Sequence, residues 1–482
     1  MNLEQSHLRE ITRRHFFANS GVSLGSLGLA AMLAKEGLAA APSARDVARL
    51  TNPMAPLEGH FQAKAKQVVY LFMAGGPSQL ELFTPKPKLN EMSGQVIPES
   101  FVAGKRFAFL KKDATLLGSV RKFRQWGESG AVISECLPHL GSIADDVTFI
   151  KSMKTEVFNH GPAKLYMNTG FERFSGRPAM GAWVTYGIGS EADSLPGFVV
   201  MHSGPRGPRG GTPLWASGFL PTTYQGVPLL NGAEPILNLS NPSGVTDERQ
   251  GDFVSTVKDL NAERLKLVGD PEIATRIAQY EMAFRMQTSV PELTDLSKEP
   301  ESTFALYGPD ARTPGTYAAN CILARRMAER GVRFIQLYHM GWDHHESVPR
   351  QLPPQCMDAD QPSAALIKDL KQRGLLDSTL IIWNGEFGRT PMRQPGPFLG
   401  RDHHPKGFTA WMAGGGIKPG ISYGETDEFG YNAVVDRASV HDLNATALRL
   451  LGIDHLKLTY RFQGRDFRLT DVHGEVARKM LA

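Results

Sequence analysis

The chain has 482 residues, of which 41% are hydrophobic and 21% charged, which is ordinary globular usage and excludes fibrous, coiled-coil and mostly disordered readings. A net charge of +4, with no Lys/Arg block, excludes a dedicated nucleic-acid binder. The three cysteines, Cys136, Cys321 and Cys356, are too scattered to suggest a disulfide framework or a thiolate zinc site.

Residues 1–40 read as an address rather than as fold. Arg13 and Arg14 precede a mildly apolar, Gly/Ser-diluted run over 21–34, the pattern of a twin-arginine export signal. The run is too short for a bilayer span, which takes about 20 residues. The expectation is a protein delivered by the twin-arginine machinery to the periplasm or beyond, with no transmembrane anchor. Residues 41–66 read as a linker and 67–482 as one domain.

Within that domain, 67–74 is a short apolar run ending in Gly75-Gly76-Pro77, which predicts a buried strand entering a tight loop. Further buried strands are predicted at 147–151, 197–201, 332–338, 379–383 and 408–412. Helices are predicted at 318–330 and 362–374, with Gly331 and Gly374 at the C-cap positions. Segment 203–250, rich in Gly, Pro and Asn, reads as a surface excursion, and about 251–300 as a helical insertion. Alternating strands and helices predict an α/β fold: a mainly parallel sheet with helices on both faces, plus loop-rich insertions.

Ligands bind at the carboxyl ends of strands in such sheets. The loops there carry Ser78, then Asp343, His344 and His345, then Glu386 and Arg389, and then Asp402, His403 and His404. Five of the 14 histidines fall between His339 and His404. Imidazole with carboxylate suits divalent metals, so Asp343, His345, Glu386, His403 and His404 are the candidate ligands for Zn, Ca or Mn. The tryptophans Trp342 and Trp215, beside Gly-rich loops, are candidate aromatic platforms.

The segment His160-Gly161-Pro162-Ala163-Lys164 followed by Thr169-Gly170 resembles the nucleophile segment of sulfatases in the alkaline-phosphatase superfamily, with His160 in the nucleophile place and Lys164 in the arginine place. A resemblance covering nearly the whole chain is to the exported bacterial family known as domain of unknown function 1501, placed in that alkaline-phosphatase-like superfamily. It is carried by Gly75-Gly76-Pro77-Ser78-Gln79, Gly341-Trp342-Asp343, Gly385-Glu386-Phe387-Gly388-Arg389-Thr390-Pro391, Gly400-Arg401-Asp402-His403-His404 and Gly464-Arg465-Asp466-Phe467. The resemblance implies an alkaline-phosphatase-like fold and a metal-dependent hydrolase of phosphate or sulfate esters, on a small-molecule or polysaccharide substrate. His160 or Ser78 would attack or orient water, and Lys164 or Arg389 would hold the anion. The sequence departs from sulfatases in lacking their paired aspartates after the first strand, where only Ser78 or Glu81 could substitute, and in lacking a Cys, Ser or Thr nucleophile. The alternative is therefore a non-catalytic binder of anionic or sulfated polysaccharide on the same fold.

Overall fold

The computed structural model describes residues 52–482, apart from 105, 106, 108, 112, 174, 205, 232–234, 237, 238, 242, 269 and 270. The expected export signal and the first part of the expected linker, 41–51, lie outside the described residues.

The strands that build the central sheet and the site are, in chain order, β1 (Gln67–Met73), β2 (Val147–Lys154), β3 (Phe198–Ser203), β4 (Val227–Leu229), β5 (Phe334–His339), β6 (Thr379–Asn384), β7 (Gly388–Arg393), β8 (Arg401–His404), β9 (Phe408–Ala413), β10 (Ile421–Tyr423) and β11 (Ala438–Ser439). Nine of these form one sheet in the order β10-β2-β9-β6-β1-β5-β3-β4, with β11 paired to β2. Every pairing in it is parallel except those of β9, which runs antiparallel to both β2 and β6. The reversal has a local cause. β7 and β8 form an antiparallel ribbon outside the sheet, and only residues 405–407 separate β8 from β9. The whole connection from β6 to β9, residues 385–407, holds this ribbon and no crossover helix of the kind that joins parallel neighbours.

β1 lies at the centre, and all seven of its residues are buried. Its side chains alternate between two cores. Val69, Leu71 and Met73 join one, and Val68, Tyr70 and Phe72 the other. A strand buried on both faces must be apolar throughout, hence the unbroken run in the sequence.

The principal helices are α1 (His160–Thr169), α2 (Met180–Ile188), α3 (Asp247–Val268), α4 (Pro271–Thr294), α5 (Tyr317–Glu329), α6 (Val348–Gln372) and α7 (Val440–Leu450). Residues of α5 and α6 pack on the Leu71 face; those of α1, α2 and α7 pack on the Tyr70 face. None of the helices among the described residues is long and apolar enough to cross a membrane.

The predicted strands are all present, with ends displaced by no more than three residues. One helix differs substantially. α6 starts fourteen residues before the predicted Pro362, and Pro353, Pro354 and Pro362 lie inside it. Prolines read as helix breakers because each removes a backbone hydrogen bond. Here Leu352, Cys356 and Ala359 bury one face of that first half in the core, and packing overrides the local preference.

Candidate metal centre

Four chain segments converge at the carboxyl edge of the sheet. His160 opens α1, shortly after β2. Asp343 and His345 follow β5, Glu386 follows β6, and His403 lies in β8. One ligand atom from each of His160, Asp343, His345 and His403 falls within 4.8 Å of the others. His345 Nε2 is 2.8 Å from His403 Nε2 and 2.9 Å from Asp343 Oδ1. His160 Nε2 is 3.0 Å from Asp343 Oδ2, and His403 Nε2 is 3.4 Å from Asp343 Oδ1.

The other ring nitrogens determine what this cluster presents. His160 Nδ1 is 2.7 Å from Glu386 Oε1, and His403 Nδ1 is 2.7 Å from the Phe158 carbonyl. Both partners are pure acceptors, so each Nδ1 carries the proton. His345 Nδ1 meets Gln394 Oε1 at 2.6 Å in the same manner. In the neutral rings three Nε2 lone pairs therefore converge on a carboxylate, and nothing among them can donate. Such a group requires protons or a cation at its centre. Imidazoles oriented by acceptors on the far nitrogen are the usual outer arrangement of a metal site.

The sequence places each donor by simple rules. In β8 successive side chains face opposite sides. His403 faces the cluster, and His404 faces away to bond the Tyr431 carbonyl. Arg389 is paired across the ribbon with His403, so it lies on the cluster side, where it meets Asp343 Oδ1 at 2.7 Å. His344, between Asp343 and His345, is buried beside Trp342. Burial, reinforced by the Arg389 charge, lowers its pKa to about 4 and keeps it neutral.

Behind the donors is a buried layer of charge. Glu386 is fully buried and accepts from the Gly75 N–H at 3.1 Å and from Lys164 Nζ at 3.1 Å. Burial alone would raise its pKa, but Lys164 and His160 outweigh that and hold it at about 2. Burial likewise works against the charged form of His160, yet Asp343 and Glu386 raise its pKa overall. For His403 burial prevails and the pKa falls. Asp343 is pushed far below the carboxylate range: the three imidazoles and Arg389 overcome its burial.

Gly75 makes the approach between loops possible. Its φ is +129°, and a Cβ there would lie 2.5 Å from the Asp343 nitrogen.

Of the residues singled out from sequence, Asp343, His345 and His403 meet directly, joined by His160. Glu386 reaches the cluster through His160, with Lys164 behind it. Arg389 is fully buried and spends its guanidinium on Asp343 and on the Gly75, Gly76, Trp342 and Arg401 carbonyls. His404 is turned away, and no hydrogen bond among the described residues joins Ser78 to the cluster; its buried Oγ lacks a hydrogen-bond partner. Glu81 does not replace a sulfatase aspartate. It is fully buried in an ion pair with Arg401 at 2.7 Å. Trp342 and Trp215 are core residues, not platforms, at 0% and 6% exposure. Sequence reading did not find Gln394, the Phe158 carbonyl, or Phe387 and Phe109, whose rings lie 4.6 and 6.0 Å from that of His403. Backbone acceptors and aromatic neighbours leave no residue-type signal.

The sequence profile of a family described as "Protein of unknown function (DUF1501)" matches residues 65–481. The chain belongs to the DUF1501 family. No curated protein matches it. Solved structures similar to it include Ps i-CgsB in complex with k-i-k-neocarrahexaose (10% identity, 81% of this chain and 72% of that one, TM-score 0.35). Another is the lipoteichoic acid synthase LtaP from Listeria monocytogenes (9% identity, 84% and 78%, TM-score 0.34). A third is the alkaline phosphatase of the Antarctic bacterium TAB5 (9% identity, 76% and 96%, TM-score 0.33).

The donor set fits some metals better than others. Three imidazoles and one carboxylate suit Zn, Mn or Fe. Ca, expected as an alternative from sequence, takes six to eight oxygen ligands, and the cluster offers too few.

Proposed function

We propose that this DUF1501 protein is an exported metal-dependent hydrolase acting on a phosphate or sulfate ester. The observation that carries this reading is the convergence of His160, Asp343, His345 and His403, with an acceptor on the far nitrogen of each ring. A bound divalent cation would supply Lewis-acid polarisation of ester oxygens and a lowered pKa for water.

The chain's own residues have defined tasks in this reading. Glu386 fixes the His160 ring and its tautomer. Lys164 keeps Glu386 ionised in a dry setting. Arg389 holds Asp343 against the ribbon. Water, rather than Ser78, is the attacking group in this reading, because the buried Ser78 Oγ makes no hydrogen bond to the cluster.

One observation favours the binding-only alternative. Both cations at the site, Lys164 and Arg389, are already engaged by carboxylates, which leaves the anion-holding role to the metal itself. The test is elemental analysis of the purified full chain, then hydrolysis of p-nitrophenyl phosphate and p-nitrophenyl sulfate with Zn, Mn or Fe added. Bound metal with turnover supports the hydrolase. Bound metal with no turnover on either ester favours the binder, and well-folded protein that takes up no metal overturns both the metal and the hydrolase. Export through the twin-arginine route is tested by replacing Arg13 and Arg14 with Lys, which should hold the protein in the cytoplasm.

A further inference from the structure

Cys136 and Cys356 are separated by more than two hundred residues but are side-chain neighbours. Cys136 lies in the turn after the strand Ala131–Ser134, half-buried, and Cys356 lies on α6, 1% exposed. Each thiol is close enough to shift the titration of the other, and Cys136 packs on the same core cluster that contains Cys356.

The surroundings hold the pair in register. One helical turn beyond Cys356, the Asp360 carboxylate accepts from the His139 and Leu140 N–H groups, both at 2.8 Å. On the other side Arg121 donates to the Pro349 carbonyl at 2.5 Å. The Cys136 turn is thus tied to α6 both before and after Cys356. The third cysteine offers a contrast: Cys321 is fully buried on α5 against Tyr317.

We propose that Cys136 and Cys356 are a disulfide-forming pair that, under oxidising conditions, staples the Cys136 turn to α6 in the folded protein. The order of events follows from exposure. Cys136, the accessible thiol, attacks a small external disulfide as its thiolate and releases one thiol. Cys356 then attacks the Cys136 sulfur, gives up its proton to solvent and expels the second thiol. Two protein thiols and one external disulfide become one protein disulfide and two thiols, the two electrons passing to the external disulfide. The neighbouring Cys356 thiol, aided by Ser134 and the charge of Arg121, overcomes burial and lowers the Cys136 pKa to about 7, which supplies thiolate at neutral pH. The crosslink would close a very long loop, where chain-entropy stabilisation is greatest. It would also anchor the helix that begins three residues after His345. The inference does not depend on the metal or on the hydrolase reading.

The test uses the purified full chain in glutathione redox buffers, reduced against oxidised. Free thiols are counted after unfolding in alkylating reagent, with intact mass measured alongside. The expected result is one free thiol in oxidised protein where reduced protein has three, a mass lower by two hydrogens, and a Cys136–Cys356 linked peptide after digestion. Tm should rise by about 5 °C on oxidation. Cys136→Ser and Cys356→Ser should each abolish the crosslink and the Tm difference, and Cys321→Ser should change neither. Should either of the first two fail to fold, the linked peptide in the wild-type chain decides alone. Three free thiols in folded protein under oxidised glutathione, or a stable glutathione adduct on Cys136 with Cys356 still free, would overturn the proposal.

Discussion

His403 and His404 are adjacent in sequence and face opposite sides of the β7–β8 ribbon, one toward Asp343 and the other onto the Tyr431 carbonyl. A two-residue side-chain period separates a donor of the cluster from a structural residue that looks identical in the sequence. The two replacements should therefore differ sharply. His403→Ala removes a donor and should lower metal affinity by more than about 100-fold, beyond what loss of an outer partner costs. His404→Gln should leave stoichiometry unchanged. Metal content by plasma mass spectrometry, with competition against a chelator, checks both; equal loss in the two variants would refute the assignment.

The Glu386–His160 contact defines a second expectation. Glu386→Gln keeps the shape but removes the charge that orients the imidazole and neutralises Lys164. Metal affinity should fall about 10- to 100-fold. Stability should fall by about 3 kcal/mol, because Lys164, only 2% exposed, loses its counter-charge in a buried setting. Chelator competition reads the first effect and urea unfolding the second.

Much of this was legible in the sequence, for identifiable reasons. Unbroken apolar runs gave the buried strands, and the polar residues after them marked the edge that carries the cluster. Asp343, His345 and His403 stood out by residue type. His160 stood out only through its resemblance to a sulfatase segment, and there in the place of a nucleophile rather than as a donor of the cluster. The repeated Asp-His-His triplets suggested two equal donor groups, whereas each contributes one imidazole; which one depends on the face of a ribbon and the turn of a loop. Arg389 looked like an anion holder because nothing in a sequence shows that five backbone and side-chain acceptors already surround it. The early start of α6 was hidden because core burial, not propensity, carries a helix through Pro353 and Pro354.

The approach of the β1 loop to the β5 loop should tolerate no side chain at Gly75. Gly75→Ala puts a methyl group 2.5 Å from the Asp343 nitrogen at a φ that L-residues rarely adopt. It also disturbs the N–H that Glu386 accepts. The expected loss is about 2–4 kcal/mol, with metal affinity reduced even where the protein folds. Gly161→Ala, where a Cβ would meet open space, is the matched control. Comparable thermal stability of the two variants would show that the close approach matters little.

Asp360 gives a pH dependence that is independent of the metal centre. Burial raises its pKa from the ordinary 3.8 to about 7, even though the His139 and Leu140 N–H groups favour the charged form. Between those two values the folded chain holds a proton that the unfolded chain has released. The unfolded state then binds fewer protons, so stability declines as pH rises through this window. About three pKa units at roughly 1.4 kcal/mol each bound the effect near 4 kcal/mol. Asp360→Asn removes this titration: the variant starts less stable at pH 5, since an amide accepts less well from two N–H groups, and it should lose less stability than the wild type between pH 5 and pH 8. Urea unfolding of both proteins at unit pH steps, with cysteines kept reduced, measures the two slopes. Parallel slopes would mean that Asp360 is ionised throughout and that its two backbone donors outweigh its burial.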